Sequence, residues 1–331
     1  MNIPIAGIGH DTHDTGPHHP ERHARLDAAM AGVTDVGVSV SALAPRVATR
    51  AELRRVHTAE YLDSLEAFCA AGGGKLDQDS PVVPGSWETA LEAAGAGLAA
   101  VDAAASGVPS FVIARPPGHH ASAARGMGFC LFNNVAVAAA SLLEAGERVA
   151  IVDWDVHHGN GTQDIFWDEP RVVFVSTHQS PFYPGTGSLL ETGGPSAPGT
   201  TVNIPLPAGA TGDVVLEAID TVAAPVIAAL DPTWVLISAG YDAHRDDPLA
   251  DLRLTAGDFA DLTARVVPMA PRAVLFLEGG YDLAALRLSV GATVATLAGA
   301  DYRPEPASNG GPGHAQVQAA RAVHARLRDG T

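Results

Sequence analysis

The sequence predicts an α/β protein built on a mainly parallel central sheet with helices on both sides. Short apolar runs rich in β-branched residues recur along the chain, which is typical of strands buried on both faces. Longer alanine-rich stretches lie between these runs. Strands that alternate with helices in this way indicate a parallel sheet.

The same pattern predicts the bounds of individual elements. Strands are expected at Ser110–Ala114, Arg148–Asp153, Val172–Ser176, Thr200–Ile204, Trp234–Ser238 and Ala273–Leu277. Helices are expected at Ser86–Ala105, Leu131–Ala145, Asp213–Leu230, Thr255–Val267, Leu283–Ala298 and Gln316–Arg328. Because no linker or repeat interrupts the chain, we expect a single domain over residues 1–331, with a core at about 10–300 and a tail at 303–331. The glycine-rich stretch Gly185–Gly199 is interpreted as a surface loop.

Composition limits the classes of partner. The 331 residues carry 20 basic and 37 acidic side chains, and a formal net charge of −17 argues against nucleic acid as the main partner. A cationic substrate is compatible with this charge. Cys69 and Cys130 allow at most one disulfide, and no charged-then-apolar leader opens the chain. No apolar run reaches the roughly 18 to 20 residues of a membrane span, so we expect a cytoplasmic protein with no membrane partner.

Polar residues with catalytic potential follow five of the six predicted strands, one cluster after each. They are His119-His120, Asp155-Val-His157-His158, His178, Asp242 and Tyr281. All strands of a parallel sheet end at the same edge, which is where such sheets bind ligands. We therefore expect these separate loops to form one site.

Asp155 and His157 are two residues apart just past a strand, so an extended backbone points both side chains the same way. Asp242 is a plausible third ligand, because Ala239 and Gly240 let its backbone turn close to a metal. Two carboxylates and one imidazole with open positions suit zinc or a neighbouring divalent ion in a catalytic site. An Asp-x-His pair alone is weak support, since a histidine at a strand end often only pairs with an acid.

Three further residues are candidates for proton transfer and charge stabilisation. His119 and His120 follow Pro-Pro-Gly, a rigid segment, and a general acid/base role fits two adjacent imidazoles there. Tyr281 follows two glycines that would let its phenol approach a developing oxyanion. Solvated histidines and a simple turn are the alternative interpretations.

Several blocks of the sequence resemble one family. They are Arg115-Pro-Pro-Gly-His-His-Ala121, Gly128-Phe-Cys-Leu-Phe-Asn-Asn134, Asp153-Trp-Asp-Val-His-His-Gly-Asn-Gly161, Tyr183-Pro-Gly-Thr-Gly187, Ser238-Ala-Gly-Tyr-Asp-Ala243 and Glu278-Gly-Gly-Tyr-Asp282. They are similar to motifs of the histone deacetylase and acetylpolyamine amidohydrolase superfamily, in its class II-like bacterial branch. The resemblance covers about residues 10–300 and implies the single-domain arginase/deacetylase α/β fold.

The resemblance also implies roles for individual residues. The metal ligands that it implies for one Zn²⁺ are Asp155, His157 and Asp242. The catalytic positions are His119, His120, Tyr281, Asp153 and Asn160. In that scheme His120 is the general base, Asp153 orients His119, and Tyr281 stabilises the transition state. Asn160 stands where another branch of the family has aspartate.

Other positions are assigned in the same way. The walls of a narrow substrate tunnel would be Gly128, Phe129, Tyr183 and Leu249, and Tyr183 stands where many relatives have phenylalanine. Arg22 resembles the arginine beneath the site that is linked to product release. A structural K⁺ would be held around Asp153, Asp155, His157, Ser176 and Thr177, and a second one near Phe166 and Val172.

The resemblance thus implies a zinc-dependent amidohydrolase that removes an acyl group from an N-acyl amine, such as acetyl-lysine or an acetylated polyamine. An arginase-like ureohydrolase is the nearest alternative, but its second metal needs an acid where this chain has Gly159. A catalytically inactive module that binds acyl chains is the other alternative. The substrate is a small molecule or a peptide on this interpretation, and a homo-oligomer is possible.

Overall fold

The structure is a computed structural model that describes residues 1–329. Its centre is an eight-stranded sheet in which every neighbouring pair of strands is parallel. The strands of this sheet are β1 (Ile3–Gly7), β2 (Val40–Ala42), β5 (Ser110–Ile113), β6 (Val149–Asp153), β7 (Val172–Gln179), β8 (Thr201–Leu206), β9 (Trp234–Ala239) and β10 (Ala273–Leu277). Two short strands, β3 (Gly74–Lys75) and β4 (Pro81–Val82), form a separate antiparallel pair. The predicted α/β class is confirmed.

Helices fill most of the segments between the strands. They are α1 (Ala24–Val36), α2 (Arg50–Leu53), α3 (Ala59–Ala70), α4 (Ser86–Ala104), α5 (Asn134–Glu144), α6 (Asn160–Phe166), α7 (Gly212–Ala218), α8 (Ala224–Leu230), α9 (Ala256–Val266), α10 (Leu283–Ala298) and α11 (His314–Asp329). A π-helical segment, Ile219–Ala223, joins α7 to α8, so the predicted helix Asp213–Leu230 contains a wider turn.

The two faces of the sheet bury two separate cores. On strand β6, Ile151 belongs to a core shared with α3, α4 and α5, whereas Val152 belongs to one shared with α1, α9 and α10. Successive side chains of a strand point to opposite faces, and here both faces are covered by helices. This double covering explains why the central strands are almost continuously apolar.

Several predicted bounds were wrong, for local reasons. Helix α5 begins at Asn134 instead of Leu131, because the Asn133 side chain caps the helix by accepting from the Ala136 amide at 3.0 Å. Strand β8 extends to Leu206 and β7 to Gln179, beyond the predicted ends. The prediction missed β1 and β2 at one edge of the sheet.

The strand order places the site in the middle of the sheet. From one edge to the other the order is β2-β1-β5-β10-β9-β6-β7-β8. The five strands that precede the polar clusters, β5, β10, β9, β6 and β7, are therefore consecutive neighbours. Their carboxyl ends meet at one edge, so loops far apart in sequence lie side by side.

The C-terminal segment packs against the body of the protein. Ser308 donates its amide to Asp258 of α9 at 3.0 Å, and Val317 and Ala320 of α11 are buried in the core on the α9 side. That residues 1–331 form one domain stays a prediction. Within residues 1–329, none of the helices combines the length and the apolar character that crossing a membrane requires.

Candidate active site

The three predicted metal ligands lie together at the centre of this edge. One donor atom from each of Asp155, His157 and Asp242 lies within 4.8 Å of the others. The His157 Nδ1 atom is 3.2 Å from Asp155 Oδ1 and 3.2 Å from Asp242 Oδ2. The remaining carboxylate oxygens are held by backbone amides, Asp155 Oδ2 by Gly279 and Asp242 Oδ1 by Val156. Each ligand thus presents one atom to a common point.

The charge balance of this cluster fits a metal cation. Asp155 and Asp242 are fully buried, and within residues 1–329 neither forms an ion pair with lysine or arginine. Burial disfavours a charged imidazole, but hydrogen bonds with Asp155 and Asp242 outweigh it and raise the pKa of His157 to about 10. Two buried carboxylates need a positive charge beside them, and a divalent ion bound by two oxygens and a nitrogen provides one.

Gly279 makes room for the carboxylates. A Cβ at this position would lie 2.0 Å from Asp242 Oδ2 and 2.7 Å from Asp155 Oδ2. Both distances are shorter than the contacts that Cβ atoms make in proteins. Both oxygens belong to carboxylates that accept hydrogen bonds from backbone amides, which fix their positions. The first glycine of the Gly-Gly-Tyr turn is therefore required by the ligands, which lie on two other loops.

The two adjacent histidines bind different partners. His119 Nδ1 is 2.9 Å from the Asp153 carboxylate, and His120 Nδ1 is 2.8 Å from the Asn160 side-chain oxygen. A carbonyl oxygen can only accept, so His120 Nδ1 carries the proton and its Nε2 is left as an acceptor. This assignment is consistent with the Asn160 amide nitrogen pointing to the His120 carbonyl oxygen at 3.5 Å.

The partners separate the charges of the pair. Burial opposes a charge on His119, yet the carboxylates of Asp153 and Asp155 raise the pKa of His119 well above its usual value. Burial and then the charges of His119 and His157 lower the pKa of His120 well below its usual value. The centroids of the two imidazole rings are only 4.0 Å apart, so a positive charge on one ring disfavours a positive charge on the other. The arrangement favours the charged form of His119 and the neutral form of His120, whose Nε2 can accept a proton.

Tyr281 lies at the wall of the site beside Phe129, with 5.8 Å between the ring centroids. Burial raises the pKa of Tyr281 well above its usual value, so the phenol keeps its proton and can donate a hydrogen bond. The guanidinium of Arg25 lies 4.9 Å from the Tyr281 ring centroid, and its Nε donates to the Gly280 carbonyl at 2.7 Å. The buried guanidinium of Arg25 thus forms a cation–π contact with the Tyr281 ring, which holds the ring in place.

The structure does not place Arg22 beneath the site, which corrects the prediction. Arg22 precedes α1, is partly exposed, and donates to the Pro17 carbonyl oxygen near the surface. Arg25, in the first turn of α1, is the fully buried arginine under Tyr281. The difference arises because the first turn of the helix directs Arg25 inward, which the local sequence did not reveal.

Sequence reasoning also missed Glu278. Its buried Oε2 accepts from the backbone amides of Gly118 at 2.7 Å and His119 at 3.2 Å, and Ser238 donates to Oε1 at 3.1 Å. Burial raises the pKa of Glu278 to about 7. Glu278 therefore anchors the loop that carries the two histidines, although it lies about 160 residues away. Its presence at the start of the Glu-Gly-Gly-Tyr block was the only sequence signal.

A cavity of about 740 Å³ opens from this cluster to the surface. All four predicted wall residues line it, namely Gly128, Phe129, Tyr183 and Leu249, together with His120, His157 and Tyr281. Phe129 has a φ of 68°, and Asp77 and Ser80 accept the Gly128 and Phe129 amides at 2.9 Å each. Asp77 and Asp79 also line the cavity. Contact of these residues with a substrate stays a prediction.

The predicted potassium ligands lie on and after strands β6 and β7, beside the cluster of Asp155, His157 and Asp242. Asp153 of β6 pairs with Ser176 of β7 in the sheet, and Thr177 is buried next to it. Binding of K⁺ there, or near Phe166 and Val172, stays a prediction.

A second group of possible ligands consists of His244, Asp246 and Glu305, and His244 follows Asp242 by two residues. His244 Nε2 is 2.8 Å from Glu305 Oε2, while its Nδ1 faces the Asp246 amide at 3.2 Å. Arg245 also pairs with Glu305. These groups satisfy one another, so the cluster has less need of an ion than Asp155, His157 and Asp242.

We predict that Gly279→Ala weakens zinc binding by about 10- to 100-fold, because the new methyl group must displace the two ligand carboxylates. Gly7→Ala is the matched control, since a Cβ there would meet only the Ile113 carbonyl oxygen at an ordinary 3.6 Å. A competition titration with a chromophoric zinc chelator measures both affinities. Equal affinity in the wild type and Gly279→Ala would show that the carboxylates at this site do not hold the metal.

Comparison with known proteins identifies the family and the fold. A sequence model of the histone deacetylase domain matches residues 19–297. The chain is 41% identical to a "Probable deacetylase" of Archaeoglobus fulgidus, over 87% of this chain and 84% of that protein. It is 37% identical to a "Histone deacetylase-like amidohydrolase" of Pseudomonas aeruginosa, over 84% and 74%. The crystal structure of the HDA15 HD domain superposes with a TM-score of 0.88 at 32% identity, covering 99% of this chain and 100% of that one. The predicted arginase/deacetylase fold is confirmed, and the chain belongs to the histone deacetylase family.

Proposed function

We propose that this protein is a zinc-dependent deacylase that hydrolyses the amide of an N-acyl amine, such as acetyl-lysine or an acetylated polyamine. The observation that carries the proposal is the meeting of three groups at one cavity. They are the ligand cluster around His157, the neutral His120 and the protonated phenol of Tyr281. Membership of the histone deacetylase family supports the hydrolase class.

Zinc held by Asp155, His157 and Asp242 would supply a Lewis acid that polarises an acyl carbonyl and acidifies water. The protein supplies the proton transfers. His120 Nε2 is an acceptor because Asn160 fixes the proton on Nδ1. His120 therefore takes a proton from the attacking water and later returns it to the leaving amine. The Asp153 carboxylate favours a positive charge on His119, whose ring centroid lies 4.0 Å from that of His120.

Tyr281 stabilises the charge that develops on the acyl oxygen. Its phenol remains protonated, and the cation of Arg25 under the ring holds the side chain at the cavity wall. A hydrogen-bond donor aimed at a developing oxyanion acts only when that charge appears, which accelerates the reaction instead of strengthening substrate binding.

The cavity suggests an alkyl amine with a positive charge beyond the amide. Phe129 and Leu249 provide apolar walls for a methylene chain, and Asp77 and Asp79 add acidic groups to the lining. Acyl-lysine peptides and acylated polyamines share this chemistry. Tyr183 makes the wall more polar than a phenylalanine would.

The alternatives fit the structure less well. A ureohydrolase needs a second metal with further carboxylates, but a Cβ at position 159 would lie 2.1 Å from Asp153 Oδ2. No side chain therefore fits there as the site is built. An inactive binding module would not need a base, an oxyanion donor and a metal cluster at the end of a single cavity.

We predict one zinc ion per chain and turnover of acetyl-lysine coumarin peptide or N-acetylspermidine. Removal of the metal with a chelator should abolish turnover, and stoichiometric zinc should restore it. Metal analysis and initial rates on both substrates, with arginine as the control substrate, separate the three functions. Two manganese ions with urea release from arginine would indicate a ureohydrolase, and substrate binding without turnover would indicate a binding module.

We predict that Tyr281→Phe lowers kcat by about 10²- to 10³-fold, because the oxyanion loses a donor while the metal ligands stay intact. Tyr302→Phe, a partly exposed tyrosine outside the cavity, is the matched control. Steady-state kinetics and zinc content are measured on both variants. A Tyr281→Phe enzyme with normal kcat would remove the phenol from the mechanism.

A further inference from the structure

The peptide group that joins Gly280 to Tyr281 is held at both ends by buried charged side chains. Arg25 Nε donates to its carbonyl oxygen at 2.7 Å, and its N–H donates to Asp247 Oδ2 at 2.7 Å. Asp247 is 6% exposed. A positive group at the carbonyl and a negative group at the amide both act along the dipole of the peptide, and charged partners make such hydrogen bonds stronger than neutral ones.

Asp247 ties two loops of the site together. Its Oδ2 also lies 3.3 Å from the Asp282 amide, and its Oδ1 accepts from the Leu249 amide at 3.0 Å. Asp247 and Leu249 belong to the loop after β9, which carries Asp242, whereas Tyr281 follows β10. One carboxylate therefore links the phenol to the loop that supplies a metal ligand and a cavity wall.

The backbone before Tyr281 has no stiffness of its own. Gly279 and Gly280 precede it. Gly280 has a φ of 120°, a backbone conformation that residues with a side chain rarely adopt. The hydroxyl lies at the far end of the ring, so a small rotation of this peptide moves it much further than the backbone atoms. A misplacement of about 1 Å costs on the order of 10²-fold in rate. Something outside the turn must hold the peptide plane.

We propose that Asp247 is a positioning residue that sets the hydroxyl of Tyr281 by clamping the Gly280–Tyr281 peptide against Arg25. Asp247 does not reach the reacting atoms and acts through Tyr281. The inference rests on the proposed deacylase function. It assigns a role to a side chain whose hydrogen bonds all go to backbone amides of the two loops.

A double-mutant cycle tests this role. We predict that Asp247→Ala lowers kcat by about 10²-fold with zinc content unchanged. In the Tyr281→Phe background the same substitution should change kcat by less than about 3-fold, because there is no hydroxyl left to position. Asp247→Asn, which keeps the shape but offers one acceptor oxygen instead of two, should show an intermediate loss. Asp246→Ala is the control on the same loop, since the Asp246 side chain is largely exposed and its charged neighbours are His244 and Arg245.

The outcomes are distinguishable. Equal losses of kcat from Asp247→Ala in the two backgrounds would overturn the positioning role, as would wild-type kcat in Asp247→Ala. If the alanine variant does not fold, the same cycle run with Asp247→Asn decides the question by the same criterion. A zinc-loaded wild type that hydrolyses neither acyl-amine would instead contradict the deacylase function itself.

Discussion

The site depends on one electrostatic constraint, the need of two buried carboxylates for a cation. Asp155 and Asp242 lie at the ends of neighbouring strands, fully removed from water, and His157 is the closest group that could balance them. Burying such a pair without a counter-charge is very costly. A divalent ion satisfies the pair while leaving the imidazole neutral and available as a ligand. The close approach of Gly279 and the amide donors around the carboxylates follow from the same constraint.

Two chemically identical side chains acquire opposite charge preferences from their neighbours. His119 has a carboxylate at its Nδ1 atom and His120 has an amide oxygen there. The carboxylate stabilises the imidazolium of His119, and that cation disfavours a second one 4.0 Å away. The different charge preferences of the two imidazoles thus depend on Asp153 and Asn160, which are both buried. It is the environment, more than the residue type, that separates their roles.

The sequence predicted the interior of the fold better than its edges. The central strands are apolar on both faces and were found from their short apolar runs, whereas Val40–Ala42 is short and largely exposed and Ile3–Gly7 contains a proline. The residues brought together by strand ends were predictable, because parallel strands share an edge.

The sequence did not predict the positions of Arg25, Glu278 and Asp247, since each of these side chains contacts backbone atoms of a distant loop. Arg22 was assigned by resemblance to a family motif, and the local sequence does not show that Arg25, three residues later, is the arginine that faces the interior.

The most direct test of this account is anomalous diffraction at the zinc absorption edge, from crystals of the protein purified without added metal. We predict a single strong peak bonded to Asp155, His157 and Asp242. No peak at these residues, a second peak beside the first, or a peak only at His244, Asp246 and Glu305 would contradict it.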